Sequence, residues 1–156
     1  MYTFNLRFCR LFDLTLVPFW HLMVIYGFFG EYRVSFTGAG RVVLPKKIRE
    51  LLKGSTFVLS KGFDSCLAGY DLQDWEQRIA SVLSGSPLDR ENIEKKRFFF
   101  GSTVYLEIDE QGRFVIPKNL LQHAGITDQV VIIGVGDHFE IWDTKKWELY
   151  AKKMSN

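Results

Sequence analysis

Residues 108–120 read IDEQGRFVIPKNL, and residues 36–48 read FTGAGRVVLPKKI. Both run from an apolar residue through four loop residues to an arginine, then three apolar residues, a proline and a lysine. Sliding the chain on itself by 72 residues extends the match without a gap. Val34 falls on Leu106, Gly40 on Gly112, Arg41 on Arg113, Pro45 on Pro117 and Gly62 on Gly134. Tyr70 then falls on Trp142, Asp71 on Asp143, Trp75 on Trp147 and Glu76 on Glu148. So many matches at one offset indicate an internal duplication, and two copies are too few for a solenoid. A pseudo-two-fold α+β domain is the simplest architecture.

Within each copy, EYRVSF and VYLEI are short β-type runs that lead through a glycine loop into RVVL and RFVI, a hairpin pattern. Pro45 and Pro117 suit the first position of a short helix, which needs no amide hydrogen. Gly54 and Gly125 suit its C-terminal stop. TFVLSKGFDSCLAGY and VVIIGVGDHFEIW read as second hairpins, after which Asp71 and Asp143 can cap a further helix. Each copy is ββαββα in outline. Between them, Ser86 as cap with Pro87 at the first helical position predicts a linker helix ending near Gly101. Phe98, Phe99 and Phe100 at its end are expected to enter the shared core, the commoner place for large apolar residues, or else a subunit interface. The predicted layout is an N-terminal appendage over 1–29, a first repeat over 30–83, a linker helix over 84–101 and a second repeat over 102–154.

The appendage departs from the rest of the chain. Residues 11–29 are long enough to span a bilayer, yet they contain Asp13, Pro18 and His21, and no small-residue cleavage site follows. We expect a start assigned too far upstream, with Met23 as the initiator, and no membrane partner. Cys9 and Cys66 form no disulfide framework, which fits a reducing compartment.

The whole-chain charge is only +2 and decides nothing about partners. Its distribution is informative. Residues 30–63 carry seven basic residues against two acidic ones, whereas residues 102–134 carry two against four. A concentrated basic face is the footprint of phosphate binding, and an acidic one repels it, so the first copy is expected to face DNA. Arginine suits a loop tip because its planar fork can hold two phosphate oxygens or the two acceptors of a guanine edge. Lys46 and Lys47 fall near a helix start, where free amides also favour phosphate. For Arg113 the neighbouring Asp109 offers a local partner and a structural role. Arg41 has no such acid.

The doubled Gly-Arg hairpin with its proline, the terminal EIWD and the tryptophan pairs resemble the MraZ family of bacterial transcriptional regulators, from about Phe29 to Met154. The resemblance implies two SpoVT-AbrB repeats in the AbrB-like group of swapped-hairpin and double-split β-barrels. It also implies a homo-oligomeric ring that binds short direct repeats of double-stranded promoter DNA upstream of its own division and cell-wall operon, in the cytoplasm at the nucleoid. The family pattern in each loop is an aspartate, three residues and an arginine. Asp109 to Arg113 keeps it, but Thr37 replaces the acid ahead of Arg41. Threonine can accept a hydrogen bond from a loop amide but cannot form an ion pair. The candidate DNA-binding residues are Arg33, Arg41, Lys46, Lys47, Arg49 and Arg113, with Thr37, Gly40, Asp109 and Gly112 shaping the loops.

Three other function classes are weaker. Cys66 and His138 share one position in the repeat and form a conceivable nucleophile pair, but FDSCLAGY alternates like a strand in which cysteine is inert. The histidines lack metal-ligand spacing, and no glycine loop fits a phosphate cofactor or a small-molecule substrate, so no enzyme, metal or cofactor is expected. A toxin-antidote or other protein-binding module on the same barrel is the alternative. Such antidotes usually carry one copy and an acidic tail, whereas this chain ends in KKWELYAKKMSN.

Overall fold

The computed structural model describes residues 27–84, 86 and 88–155. Nearly all of the appendage, Met23 included, lies outside them, as does Pro87. The first copy supplies β1 (Glu31–Ser35), β2 (Arg41–Val43), α1 (Lys46–Arg49), β3 (Thr56–Lys61), β4 (Leu67–Asp71) and α2 (Leu72–Leu83). A linking helix, α3 (Arg90–Phe100), follows. The second copy supplies β5 (Val104–Glu107), β6 (Arg113–Val115), α4 (Lys118–Ala124), β7 (Gln129–Gly134), β8 (Phe139–Asp143) and α5 (Thr144–Met154). Both copies therefore have the ββαββα order.

The strands do not pair as the sequence suggests. β3–β4 and β7–β8 are the expected antiparallel hairpins. The first one turns through Asp64 and Ser65, both at positive φ, as a two-residue turn that matches strand twist requires. β1 and β2, however, belong to different sheets, as do β5 and β6. β1 adds to β7, β5 adds to β3, and β2 pairs with β6. Each copy thus hands its first two strands to the other. A lone two-stranded hairpin is marginal in water, and the exchange lets all four arms cover one core. The result is a six-stranded sheet in the order β1-β7-β8-β4-β3-β5 and a two-stranded ribbon, β2-β6. That order reads the same from either edge when the copies are exchanged.

The core lies where the ribbon faces the sheet. Val42, Leu44, Phe114 and Ile116 from the ribbon strands and their ends are buried with Phe57, Leu59, Leu67, Ile132, Phe139 and Ile141 from the sheet, while Ile48 and Leu120 come in from α1 and α4. Each such side chain contributes about 1.5–3 kcal/mol on burial. Phe57 meets Phe114 edge-on at 5.0 Å and Phe139 at 5.7 Å, and Phe28 joins Phe139 at 5.6 Å, so this aromatic row crosses both copies. Phe28 itself is buried, and its backbone bridges Gly136. Gly69 is required here because the Phe139 ring occupies the space of a Cβ.

Asp71 and Asp143 cap α2 and α5 as expected, each accepting from two backbone amides of the first turn. Asp71 also accepts from the Lys53 amide at 2.8 Å. Four local expectations are corrected. Pro45 and Pro117 stand one position earlier, as the caps of α1 and α4. Gly125 does stop α4 in the left-handed region, but α1 ends at Glu50, four residues before Gly54. Asp89, not Ser86, caps α3; Ser86 instead closes the turn ahead of it, accepting from the Leu88 amide. Phe98, Phe99 and Phe100 do not enter the core, and α3 buries none of its residues. Phe98 and Phe99 pack against Phe63 at the β3–β4 turn.

Candidate nucleic-acid interface

Side chains alternate along the β2–β6 ribbon, so its two faces differ. Val42 and Phe114 point into the core, leaving Arg41, Val43, Arg113 and Val115 on the other side. Arg41 pairs with Val115 and Val43 with Arg113, which sets the two arginines diagonally across this open face. Strand geometry puts their Cα atoms about 8–9 Å apart. The loops leading into β2 and β6 sit at opposite ends of the ribbon. The Ile116 amide donates to the Gly40 carbonyl at 2.9 Å, and the Leu44 amide donates to the Gly112 carbonyl at 2.8 Å. Four residues of strand rise separate the ends, so the loop glycines lie roughly 14 Å apart.

The loops are built alike and locked differently. Both glycines before the arginine have positive φ, 72° for Gly40 and 80° for Gly112. In the second loop Asp109 accepts from the Gln111 amide at 3.0 Å, the Arg113 amide at 2.8 Å and the Arg113 guanidinium Nε at 2.7 Å. The Arg113 amide chiefly, with its guanidinium adding, holds the Asp109 carboxyl below the usual carboxylate range. In the first loop Thr37 accepts none of these bonds. Its hydroxyl instead donates to the Arg41 carbonyl over 3.5 Å, and the turn closes from the Arg41 amide to the Gly38 carbonyl at 3.2 Å. Arg41 is exposed, and among the described residues its guanidinium has no hydrogen bond or ion pair.

The other predicted positions separate. Arg33, on the edge strand β1, is tied to Glu148 at 2.9 Å and Glu31 at 3.5 Å, so its charge is already answered by acids. Lys46 and Lys47 are exposed, with Glu50 3.6 Å from Lys46. Helix α1 has only four residues, too short for the helix-start effect expected there, so these lysines act as plain charges. Arg49 is not on its own loop at all. Its guanidinium lies against Gly112, where a Cβ would fall 2.5 Å from it. The matching place under Gly40 is filled by Leu121. This crossing was not anticipated, although the 72-residue offset already sets Arg49 opposite Leu121.

Cys66 and His138, the conceivable nucleophile pair, both adjoin Glu140. Cys66 is fully buried, its thiol donates to the Phe63 carbonyl at 2.8 Å, and burial, then Glu140 and Asp64, push it up to about 12. His138 is bonded to Asp137 at 2.6 Å and stacks on Tyr70. Burial opposes its charge, but bonds to Glu140 and Asp137 prevail and raise it above the usual histidine value. Among the described residues no group of three or more metal-ligating side chains converges, and no helix is long and apolar enough to cross a membrane.

The family described as "MraZ protein, putative antitoxin-like" matches residues 28–96 and again 99–156. The chain belongs to the MraZ family. The double match accords with the repeat. A protein of Acetivibrio thermocellus called "Transcriptional regulator MraZ" is 44% identical over 124 residues, covering 80% of this chain and 86% of that one. Proteins of the same name from Syntrophomonas wolfei and Lactiplantibacillus plantarum are 44% and 40% identical, covering 83% and 82% of this chain and 90% of each relative.

Proposed function

We propose that this chain is a transcriptional regulator that binds double-stranded DNA through the open face of the β2–β6 ribbon. The observation that carries the reading is Arg41: an exposed guanidinium, unpaired among the described residues, at one end of a two-stranded ribbon whose other end leads into Lys46 and Lys47. The major groove admits such a ribbon and is about 12 Å wide, comparable to the separation of the loop tips. The name borne by the relatives supports a role in transcription. The fold reading that goes with it is a double-split β-barrel, for which the exchanged strands speak.

One basic face binds weakly and loses affinity steeply with salt. Linked copies raise the effective concentration, with gains of roughly 10²–10⁴. We therefore read the working form as a homo-oligomer, a ring, holding several ribbons over direct repeats upstream of its own division and cell-wall operon, as a repressor at the nucleoid. The family description also mentions antitoxins; capture of a toxin without any DNA binding would favour that second reading. The test is a gel shift with DNA from upstream of the gene, alongside size exclusion. Arg41→Ala is expected to lose the shifted band and keep the elution volume of the unaltered protein. Tight binding by this variant would sink the assignment.

A further inference from the structure

The second loop looks poorly equipped for a phosphate, because its own arginine is bound to Asp109 and the pair is neutral as a unit. Another cation has been placed there. Arg49 reaches from α1 across to Gly112, and its guanidinium carbon, Nη1 and Nε all lie 2.5–2.7 Å from where a Cβ would be. Only a glycine leaves that room. Nε is sealed from solvent with no hydrogen-bond partner, and no carboxylate pairs with Arg49 among the described residues. A half-buried cation without a counter-charge is costly. The repeat shows that the cost is avoidable, since Leu121 fills the equivalent place under Gly40 without any charge.

We infer that Arg49 is the phosphate-binding cation of the second loop, so that both ends of the ribbon draw their free positive charge from the first copy. This inference rests on the DNA-binding reading above and deepens it. Arg41 serves the Gly40 end and Arg49 the Gly112 end, roughly 14 Å apart, which suits phosphates on the two sides of one major groove. Packing against the Gly112 backbone fixes the guanidinium plane before DNA arrives, so little side-chain freedom remains to be lost on binding. A contact to phosphate rather than to a base edge predicts a loss that is the same for every sequence.

The experiment is fluorescence anisotropy over a potassium chloride series, with a labelled duplex from upstream of the gene and a scrambled duplex of equal length. Arg49→Leu, Arg49→Lys and Arg41→Ala are compared with the unaltered protein. Arg49→Leu places in the first copy the residue that the second already tolerates, so its melting temperature should change little. Its affinity is expected to fall roughly tenfold on both duplexes, and the slope of log affinity against log salt to flatten by about one. Arg49→Lys should keep the slope. An unchanged slope and affinity for Arg49→Leu, with Arg41→Ala still losing binding, overturns this inference and leaves the DNA-binding reading standing. Failure of the unaltered protein to bind either duplex removes both. Should Arg49→Leu melt early, Arg49→Gln, uncharged but of similar reach, carries the same test.

Discussion

The loops at residues 36–41 and 108–113 descend from one sequence, keep the same backbone outline and now differ in their side-chain interactions. The second is held by an acid that accepts three hydrogen bonds, and its arginine is spent on that acid. The first has a threonine with one long bond, and its arginine has no side-chain partner among the described residues. Beneath them the assignment reverses, with an arginine under the second loop and a leucine under the first. One loop is tied by its acid and has a second cation packed against it; the other lacks the acid and has a leucine in that place. Charge available to a ligand and order within the loop have been traded between two copies of the same ribbon end.

The largest stability effect should come from the glycines. Gly112→Ala adds a Cβ at positive φ and within 2.5 Å of the Arg49 guanidinium, so we expect a loss of about 1–3 kcal/mol in urea unfolding. Gly40→Ala meets the Ile116 carbonyl at 3.1 Å and Leu121 at 3.3 Å, and should lose about 1 kcal/mol. Gly38→Ala has open space and no positive φ; it should be neutral. Equal losses at Gly112 and Gly38 would mean that the two loops are not packed as described.

Removing the acid should loosen one loop only. With Asp109→Ala, hydrogen exchange at the Gln111 and Arg113 amides is expected to quicken while the Arg41 amide is unaffected. Acid should do the same reversibly. Because Asp109 is held below its ordinary value, its contribution is present above the usual aspartate range and disappears as pH falls through the lowered value. Exchange measured down that titration should accelerate in the second loop, with no matching transition in the first, where no carboxylate accepts from the loop amides. The smallest effect belongs to Thr37→Asp, which restores the acid. It should slow exchange at the Arg41 amide and raise the melting temperature by about 2 °C.

How much of this could be read from the residues follows the same division. The duplication, the ββαββα order and the capping roles of Asp71 and Asp143 are written in local spacing, because turns, caps and strand alternation depend on near neighbours. The Asp109–Arg113 pair was legible for the same reason. Strand exchange was not legible in EYRVSF or RVVL themselves, since a strand's own alternation specifies a face and not a partner. The position of Arg49 depends on that exchange, because only when β2 pairs with β6 does α1 lie against the second loop. Arg33 shows the opposite failure: it counts toward the basic surplus, but folding brings Glu148 from the far end of the chain to meet it.

The central claim is that DNA reads the free arginine and not its locked twin. Anisotropy with Arg41→Ala and Arg113→Ala side by side, on the same upstream duplex and at matched salt, tests it most directly. Arg41→Ala is predicted to lose measurable binding, and Arg113→Ala to retain most of it with a nearly unchanged salt slope. The reverse order of losses would contradict the account.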